Sequence, residues 1–428
     1  MLDIRLLRED PEAIKARVRT RGSDVSAIID EILECDEKRR EGETQKQALQ
    51  ADRNRISKEI GALKKAGEDS SEIEAEVRGI GERIKAIGEE ADAADARQRE
   101  LLLQIPNLPH EACPVGEDET ANPVVREWGE QPEFAFEPKE HDTLGLALGL
   151  FDFELASKIS GGGFIAFTGA GAKLQRALIQ FLLDLHTESH HYKEVSPPFI
   201  INRDSMYGTG QLPKFEDDMY GLEDGAFFLA PTAEVPVTNL YREELLPEAH
   251  LPIKLTAYTP CFRREAGSAG RESRGMIRMH QFDKVELVNI VHPDESFDAL
   301  EKLTAEAETV LQKLGLHYRT IELCTGDLGF SSAKTYDIEV WAPGHGTYLE
   351  VSSCSNFLDY QARRMRLRFK DSEKKNRFCH TLNGSGTALP RLYVALIESG
   401  QQEDGSIVLP EALHPYFGAE KIDAPGAS

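Results

Sequence analysis

The sequence predicts an α+β protein, in which an N-terminal antiparallel α-helical coiled-coil hairpin precedes an antiparallel β-sheet domain flanked by helices. Three observations carry this reading. Two heptad-spaced apolar seams lie on either side of a short Gly-containing break within the first 105 residues. After residue 161 the pattern changes to short β-rich runs interrupted by helices, without the regular strand–helix alternation of a parallel sheet. Neither a Rossmann nor a P-loop signature occurs, so a nucleotide would need a different architecture to bind it.

The first seam runs Ile28, Ile32, Cys35, Leu49, Ile56, Ile60 and Leu63. Arg39, Gly42, Lys46 and Arg53 occupy the heptad positions between, so the middle of this helix is expected to pack weakly or bend. After the break at residues 66–71, the second seam runs Ile73, Val77, Ile80, Ile84, Ile87, Ala91, Ala94 and Leu101, and Pro106 and Pro109 end it. Two such helices joined by a short turn bury their stripes by folding back on each other. At nearly forty residues per helix the arm reaches roughly 50 to 60 Å. Periodicity alone leaves open whether it is a dimerisation rod, a spacer or an interaction arm.

Residues 1–106 are therefore read as an arm domain, 107–160 as a Pro-rich connector, and 161–428 as the sheet domain. Within the last, FIAFTG, FFLA, LTAYTPCFRRE, FDKVELVNIV and GTYLEVSSC read as strands, and 171–191, 293–314 and 390–399 as helices. Arg364, Arg366 and Arg368 alternate with Met365, Leu367 and Phe369, which predicts a strand with one cationic and one apolar face. That face is either an RNA contact or an ordinary solvated surface.

Composition narrows the class. Hydrophobic residues at 40% and charged residues at 29%, with no apolar run long enough to cross a bilayer, exclude a membrane-spanning helix. The N-terminus is acidic from Asp3 and lacks signal or transit patterns, so a cytoplasmic location is expected. Six cysteines without a C-x-x-C pair form no readable zinc ribbon or disulfide framework, which suits a reducing compartment. A formal charge of −24 opposes indiscriminate nucleic-acid binding, so any RNA contact must be local.

The strand LTAYTPCFRRE, the loop AGSAGRESRGM and the strand IRMHQFDKVE form a hairpin with a Gly- and Arg-rich tip. A triphosphate bound outside a P-loop needs fixed cations, and the planar fork of arginine matches phosphate oxygens. Arg263 and Arg264 sit at the strand end, Arg271 and Arg274 in the loop, and Phe282 on the return strand can stack an adenine. By itself such a loop is usually an ordinary solvated turn.

FRRE, AGSAGR and HQFDKVE together resemble motif 2 of the class II aminoacyl-tRNA synthetases in its seryl form. The helix at 171–191 with Pro197 and Pro198 is similar to motif 1, which forms much of the dimer interface in that family. TLNGSGTALPRLYVALIE, residues 381–398, is similar to motif 3. Residues 208–215, 229–236 and 350–364 resemble seryl-specific segments, and the resemblance covers nearly the whole chain, arm included. It implies a class II catalytic domain, a homodimer through the motif 1 helix, and ATP bound with Mg²⁺. The implied reaction activates L-serine as seryl-adenylate and transfers it to the 3′ end of tRNA(Ser), with tRNA(Sec) as a further expected substrate.

The resemblance also assigns roles by position. Arg263 is similar to the arginine that holds the α-phosphate and the serine carboxylate, with Arg391 reaching the γ-phosphate. Arg264 and Glu265 belong to the ATP set, Glu265 at the adenine edge, and Phe282 and Arg391 sandwich the base. Glu350, Val351, Ser352 and Ser353 complete that set, Glu350 and Ser353 as magnesium ligands, which suits an ion that takes few protein oxygens. Serine falls to Thr232, Ala233, Glu234, Arg263, Glu286 and Ser385. A buried Glu286 that accepts the substrate hydroxyl proton rejects alanine by being left unpaired. The bland reading of Glu234 and Glu286 is a pair of structural carboxylates. No catalytic base is expected, because the attacking carboxylate is already ionised and catalysis is alignment and charge stabilisation.

Two departures stand beside the key positions: FRRE where the commonest form is FRSE, and Pro390 where many relatives have Gly. His186 and His190, one helical turn apart, read as surface or interface histidines, and no zinc is expected. Only 30 residues follow Glu398, too few for an anticodon-binding domain, so tRNA recognition is expected of the arm. Arg39, Arg40, Arg53, Arg55 and Lys58, with Lys64 and Lys65, are its expected phosphate contacts. Two alternatives fit less well: a ligase of the same fold that loads a carrier protein, disfavoured by the arm, and a non-catalytic tRNA-binding homologue, disfavoured by the retained Arg263, Glu286, Glu350 and Arg391.

Overall fold

The computed structural model describes residues 1–266 and 275–424. The chain divides into two compact units, residues 1–19 with 23–106, and residues 20–22 with 107–428. Residues 107–160 thus belong to the second unit and do not stand apart as a connector. They supply the strand Val124–Trp128, which pairs into the principal sheet.

In the first unit, short helices α1 (Ile4–Glu9) and α2 (Pro11–Arg19) precede α3 (Ser26–Ala66) and α4 (Ser71–Leu102). α3 ends where Gly67 adopts φ +75°, its N–H donating to the Lys64 carbonyl while Glu68 N–H reaches Leu63, a left-handed cap that suits glycine. α3 is one continuous helix of 41 residues, unbroken across its polar middle. Arg39, Gly42, Lys46 and Arg53 are all half-buried, so the polar seam is packed by side-chain stems. At Gly42 the helices approach closely, since a β-carbon there would lie 3.1 Å from Ala91 Cβ. Gln98 fills the remaining seam position of α4, its amide donating to the Ile32 carbonyl at 3.4 Å.

The second unit is built on an eight-stranded sheet. In chain order its strands are β1 (Val124–Trp128), β2 (Lys193–Glu194), β3 (Ile253–Phe262), β4 (Gln281–Val291), β5 (Tyr318–Glu322), β6 (Lys334–Ala342), β7 (Thr347–Asn356) and β8 (His380–Ala388). They lie in the order β1-β5-β6-β7-β8-β4-β3-β2, antiparallel throughout except for the parallel pair β2–β3. The flanking helices include α5 (His141–Ala147), α6 (Phe153–Ser160), α7 (Gly169–Asp184), α8 (Arg203–Thr209), α9 (Glu234–Asn239), α10 (Ser296–Lys313), α11 (Tyr360–Met365) and α12 (Leu389–Gly400). One large core joins the sheet to α7, α10 and α12 through Leu178, Leu182, Leu303, Val310, Leu396 and Ile397. No helix among the described residues is long and apolar enough to cross a membrane.

Residues 363–369 depart from expectation. Helix α11 runs to Met365, Arg366 turns left-handed at φ +56°, and only Arg368–Lys370 is a strand, paired with residues 245–247 and 376–378. Arg364 is buried and donates to the carbonyls of Tyr207 and Leu212 and to the Tyr360 hydroxyl, so the run is no cationic stripe. α7 begins two residues earlier than expected and passes into a wider π turn over Leu185–Ser189.

Candidate active site

β3 and β4 form the antiparallel hairpin expected of the Arg-rich segment, with Gln281 opposite Phe262 and Glu286 opposite Ala257. Residues 267–274, and with them Arg271 and Arg274, lie outside the described residues. Strand alternation turns Phe282, Lys284 and Glu286 towards a cavity of about 960 Å³. Asp283 faces away, taking hydrogen bonds from Tyr258 Oη at 2.9 Å and from Gln175 of α7, which anchors the hairpin to the preceding helix.

The same cavity is lined by Thr232, Glu234, Arg263, Glu265, Glu350, Val351, Ser353, Ser385 and Arg391. Eleven of the expected substrate and ATP residues therefore converge from β3, β4, β7, β8, α12 and the 229–236 segment. Three do not line it. Ala233 is buried in a cluster with Val237, Leu255 and Val288. Ser352 points to the opposite side of β7, where its hydroxyl donates to the Ser385 carbonyl at 2.6 Å. Arg264 is exposed, with its backbone N–H on the Asp218 carbonyl.

The cavity has two chemically distinct ends. At one, Thr232 Oγ1 donates to Glu286 at 2.9 Å, and the Lys284 ammonium pairs with the same carboxylate. All three are buried. Glu234, also buried, takes a 2.6 Å hydrogen bond from the Gln361 amide. Burial, and then the neighbouring charge of Glu286, pushes the Glu234 carboxyl up to about 7. The wall beside this end, residues 329–332, is held by Arg21, whose guanidinium donates to the carbonyls of Asn107, Leu328, Gly329 and Ser332.

At the other end stand Arg278 and Arg391, with Arg263 between, its guanidinium beside the Thr232 segment and its charge felt at Glu234. Arg263 lies 5.2 Å over the Phe282 ring and donates to the Pro231 carbonyl at 3.3 Å. Arg391 donates to the Glu350 carbonyl at 2.8 Å and to its carboxylate at 3.3 Å, and Arg278 pairs with Glu265 at 3.3 Å. Pro390 occupies the first turn of α12, where its missing N–H costs nothing, which accounts for that departure from the seryl pattern. Asp337, cross-strand from Ser353, keeps one buried carboxylate oxygen without a hydrogen-bond partner. Burial, then the charge of Glu350, pushes its carboxyl well above the usual range. Mutually repelling acids beside a serine hydroxyl fit a divalent cation, which would relieve the repulsion.

Lys284, Arg278, Asp337 and Gln361 were not singled out from sequence. Lys284 alone left a signal there, since it lies two residues before Glu286 on one strand and so shares its face. The histidines also differ from expectation. His186 is fully buried, its Nε2 on the Gly386 carbonyl at 3.1 Å and its Nδ1 2.9 Å from His190 Nδ1. Burial holds its pKa down to about 3, so it ties the end of the α7 segment to β8 as a neutral ring.

On the arm, Arg40, Arg55 and Lys58 are exposed. Arg39 and Arg53 are half-buried in the seam, and Arg39 is engaged by Asp36 at 3.0 Å and Asp95 at 3.7 Å.

Comparison with known proteins gives concordant matches. Residues 1–109 match the model for the seryl-tRNA synthetase N-terminal domain, and residues 215–400 that for the tRNA synthetase class II core domain (G, H, P, S and T). The serine–tRNA ligase of Akkermansia muciniphila is 64% identical over 99% of both chains. The structure of seryl-tRNA synthetase from Pyrococcus horikoshii complexed with ATP superposes with a TM-score of 0.94 at 38% identity, covering 99% of this chain and 100% of that one. The cytoplasmic serine–tRNA ligase from Naegleria fowleri in complex with AMP gives 0.89 at 28% identity, over 99% of each.

Proposed function

The chain belongs to the seryl-tRNA synthetase family, enzymes that use ATP to join serine to its tRNA, and from that premise we propose how its cavity divides the work. The observation that carries the reading is one continuous cavity that brings two buried carboxylates, Glu234 and Glu286, together with Arg263 and Arg391. Serine presents an ammonium and a hydroxyl to the acidic end and its carboxylate to Arg263. Glu286, already paired with Lys284, accepts a hydrogen bond from the substrate hydroxyl. Glu234, which takes its hydrogen bond from the Gln361 amide, receives the ammonium with Thr232 beside it.

ATP lies along the arginine end, its adenine between Phe282 and Arg391 and its edge at Glu265. The serine carboxylate attacks the α-phosphorus, the bond to the bridging oxygen breaks and pyrophosphate leaves. Arg263 neutralises charge that builds on the α-phosphate, and Arg391 holds the γ-phosphate of the leaving group. Glu350 and Ser353 would hold Mg²⁺, which supplies charge neutralisation to the triphosphate. The tRNA 3′ hydroxyl then attacks the seryl carbonyl and AMP leaves. tRNA(Ser) docks on the arm through Arg40, Arg55 and Lys58, and tRNA(Sec) shares that route. A homodimer through α7 and a cytoplasmic location complete the reading.

The test incubates the protein with unfractionated tRNA, Mg·ATP and labelled serine, threonine or alanine, and counts acid-precipitable label. Serine-only charging that is lost in Glu286→Ala is expected. Replacing residues 28–104 by a short linker should abolish charging and leave serine-dependent pyrophosphate exchange intact. Exchange without charging in the intact protein would favour a carrier-protein ligase, and loss of both would overturn the catalytic reading.

A further inference from the structure

His141 opens α5 and is fully buried, 135 residues before the hairpin residue Met276 that it holds. Its Nε2 accepts the Met276 backbone N–H at 3.0 Å, which leaves the ring proton on Nδ1, 3.4 Å from Glu398. A β-carbon on Gly275, which holds φ +68°, would lie 2.1 Å from His141 Nε2, so the chain can pass this close only as glycine. Glu398, in the last turns of α12, is the brace. One of its oxygens accepts the His141 backbone N–H at 2.8 Å and His345 Nδ1 at 2.8 Å; the other accepts the N–H groups of Gly344 at 2.9 Å and His345 at 3.2 Å. Burial opposes its ionisation, but the hydrogen bonds from His141 and His345 outweigh it and hold the carboxyl down to about 2.

His141, His345 and Glu398 bring potential metal-ligand atoms within 4.8 Å of one another. Their hydrogen bonds argue for a different role, because the imidazole lone pair of His141 is spent on an amide N–H and both Glu398 oxygens are engaged. The same helix α12 carries Arg391 seven residues earlier, and Arg391 Nε donates to the Ile277 carbonyl at 3.4 Å. α12 therefore grips two consecutive residues of the hairpin's return stem: Met276 through Glu398 and His141, and Ile277 through Arg391. Both stem residues line the cavity.

We propose that His141 is a positioning residue for ATP: braced on Glu398, it fixes the Met276–Ile277 stem so that Arg391 and the hairpin meet the nucleotide in register, a role that rests on the assignment of Arg391 to ATP. His141→Asn is too short to reach Met276, whereas in His141→Gln the amide oxygen can stand where Nε2 does. In pyrophosphate exchange, His141→Asn is expected to lower kcat/KM for ATP about tenfold, the scale of one buried hydrogen bond, with the KM for serine unchanged and most of the loss restored in His141→Gln. In the wild-type protein without ATP, the Met276 amide should already be protected from hydrogen exchange.

Unchanged ATP kinetics in His141→Asn would overturn the proposal. Equal losses for ATP and serine, or a Met276 amide that exchanges freely, would do the same. Arg391→Ala serves as the control. If that variant also leaves ATP kinetics intact, the ATP assignment itself fails; if it weakens ATP while His141→Asn does not, the positioning role alone fails.

Discussion

Glu234 and Glu286, the two buried carboxylates of the proposed serine site, have different partners, and the difference has a pH signature. Glu286 has Lys284 and Thr232, whereas Glu234 has a neutral amide and a carboxyl pushed up to about 7 by burial and by Glu286. In the unfolded chain Glu234 titrates near 4.5. The folded state therefore binds the extra proton between those values, and stability from Glu234 is full below about 4.5 and lost as pH rises through about 7. The gap is worth on the order of 3 kcal/mol. Without serine, the urea midpoint of the wild-type protein should fall between pH 5.5 and 8, and that of Glu234→Gln should change much less. Serine reverses the sign, because its ammonium needs the carboxylate. The KM for serine should fall as pH rises through 7 in the wild type and stay high in Glu234→Gln. A wild-type serine KM flat across that range would remove Glu234 from the ammonium site.

Among the elements, the arm was the most legible, because a heptad pattern sustained over two long helices has few other ways to bury itself. In its polar middle Gly42 lets α4 approach, and Arg39, Lys46 and Arg53 stand half-buried along the seam where apolar side chains would otherwise pack. That packing makes two glycines of α3 opposite in their response to substitution. Gly42→Val drives a branched side chain against Ala91 and Ile87 and should destabilise the hairpin by about 1 to 3 kcal/mol. At Gly61 a β-carbon meets nothing within 4 Å, so Gly61→Ala should stabilise by about 1 kcal/mol through helix propensity. Hydrogen exchange along α3 in the full-length protein reads both, and equal protection in the two variants would sink the close-approach account. In the second unit the hairpin β3–β4 and the motif 3 segment were legible because alternation and motif spacing are local. Residues 363–369 were not, since alternating Arg and apolar side chains arise equally from a helix end, a left-handed Arg366 and a short strand. Asp337, Gln361 and His141 reach the site from distant segments, and one sequence contains no signal for such encounters.

At the scale of the whole molecule, a chain of net charge −24 must dock a polyanion, which makes the distribution of charge on the arm decisive. The distal part of α3, residues 44–66, carries six basic residues (Lys46, Arg53, Arg55, Lys58, Lys64 and Lys65) against two acidic ones. The opposing stretch, residues 68–83, carries six acidic residues against Arg78 and Arg83. The hairpin tip therefore has a cationic edge along α3 and an anionic edge along α4, and RNA phosphates should meet the first. Arg55 and Lys58 are exposed members of this edge, with Lys64 and Lys65, whereas Arg53 is half-buried in the seam. The double variant Arg55→Glu, Lys58→Glu should lower kcat/KM for tRNA by an order of magnitude or more. It should also flatten the dependence of log KM on log salt by about one unit for each phosphate that the arm no longer neutralises. Serine-dependent pyrophosphate exchange, which needs no tRNA, should not change. Glu72→Lys with Glu76→Lys reverses the same amount of charge on exposed positions of α4, and leaves the α3 edge intact. If recognition tracked only net charge, this second variant would improve charging as much as the first impairs it. If it follows the α3 edge, the acidic-edge variant should leave the salt slope of charging close to that of the wild type, because the docking face still neutralises the same phosphates.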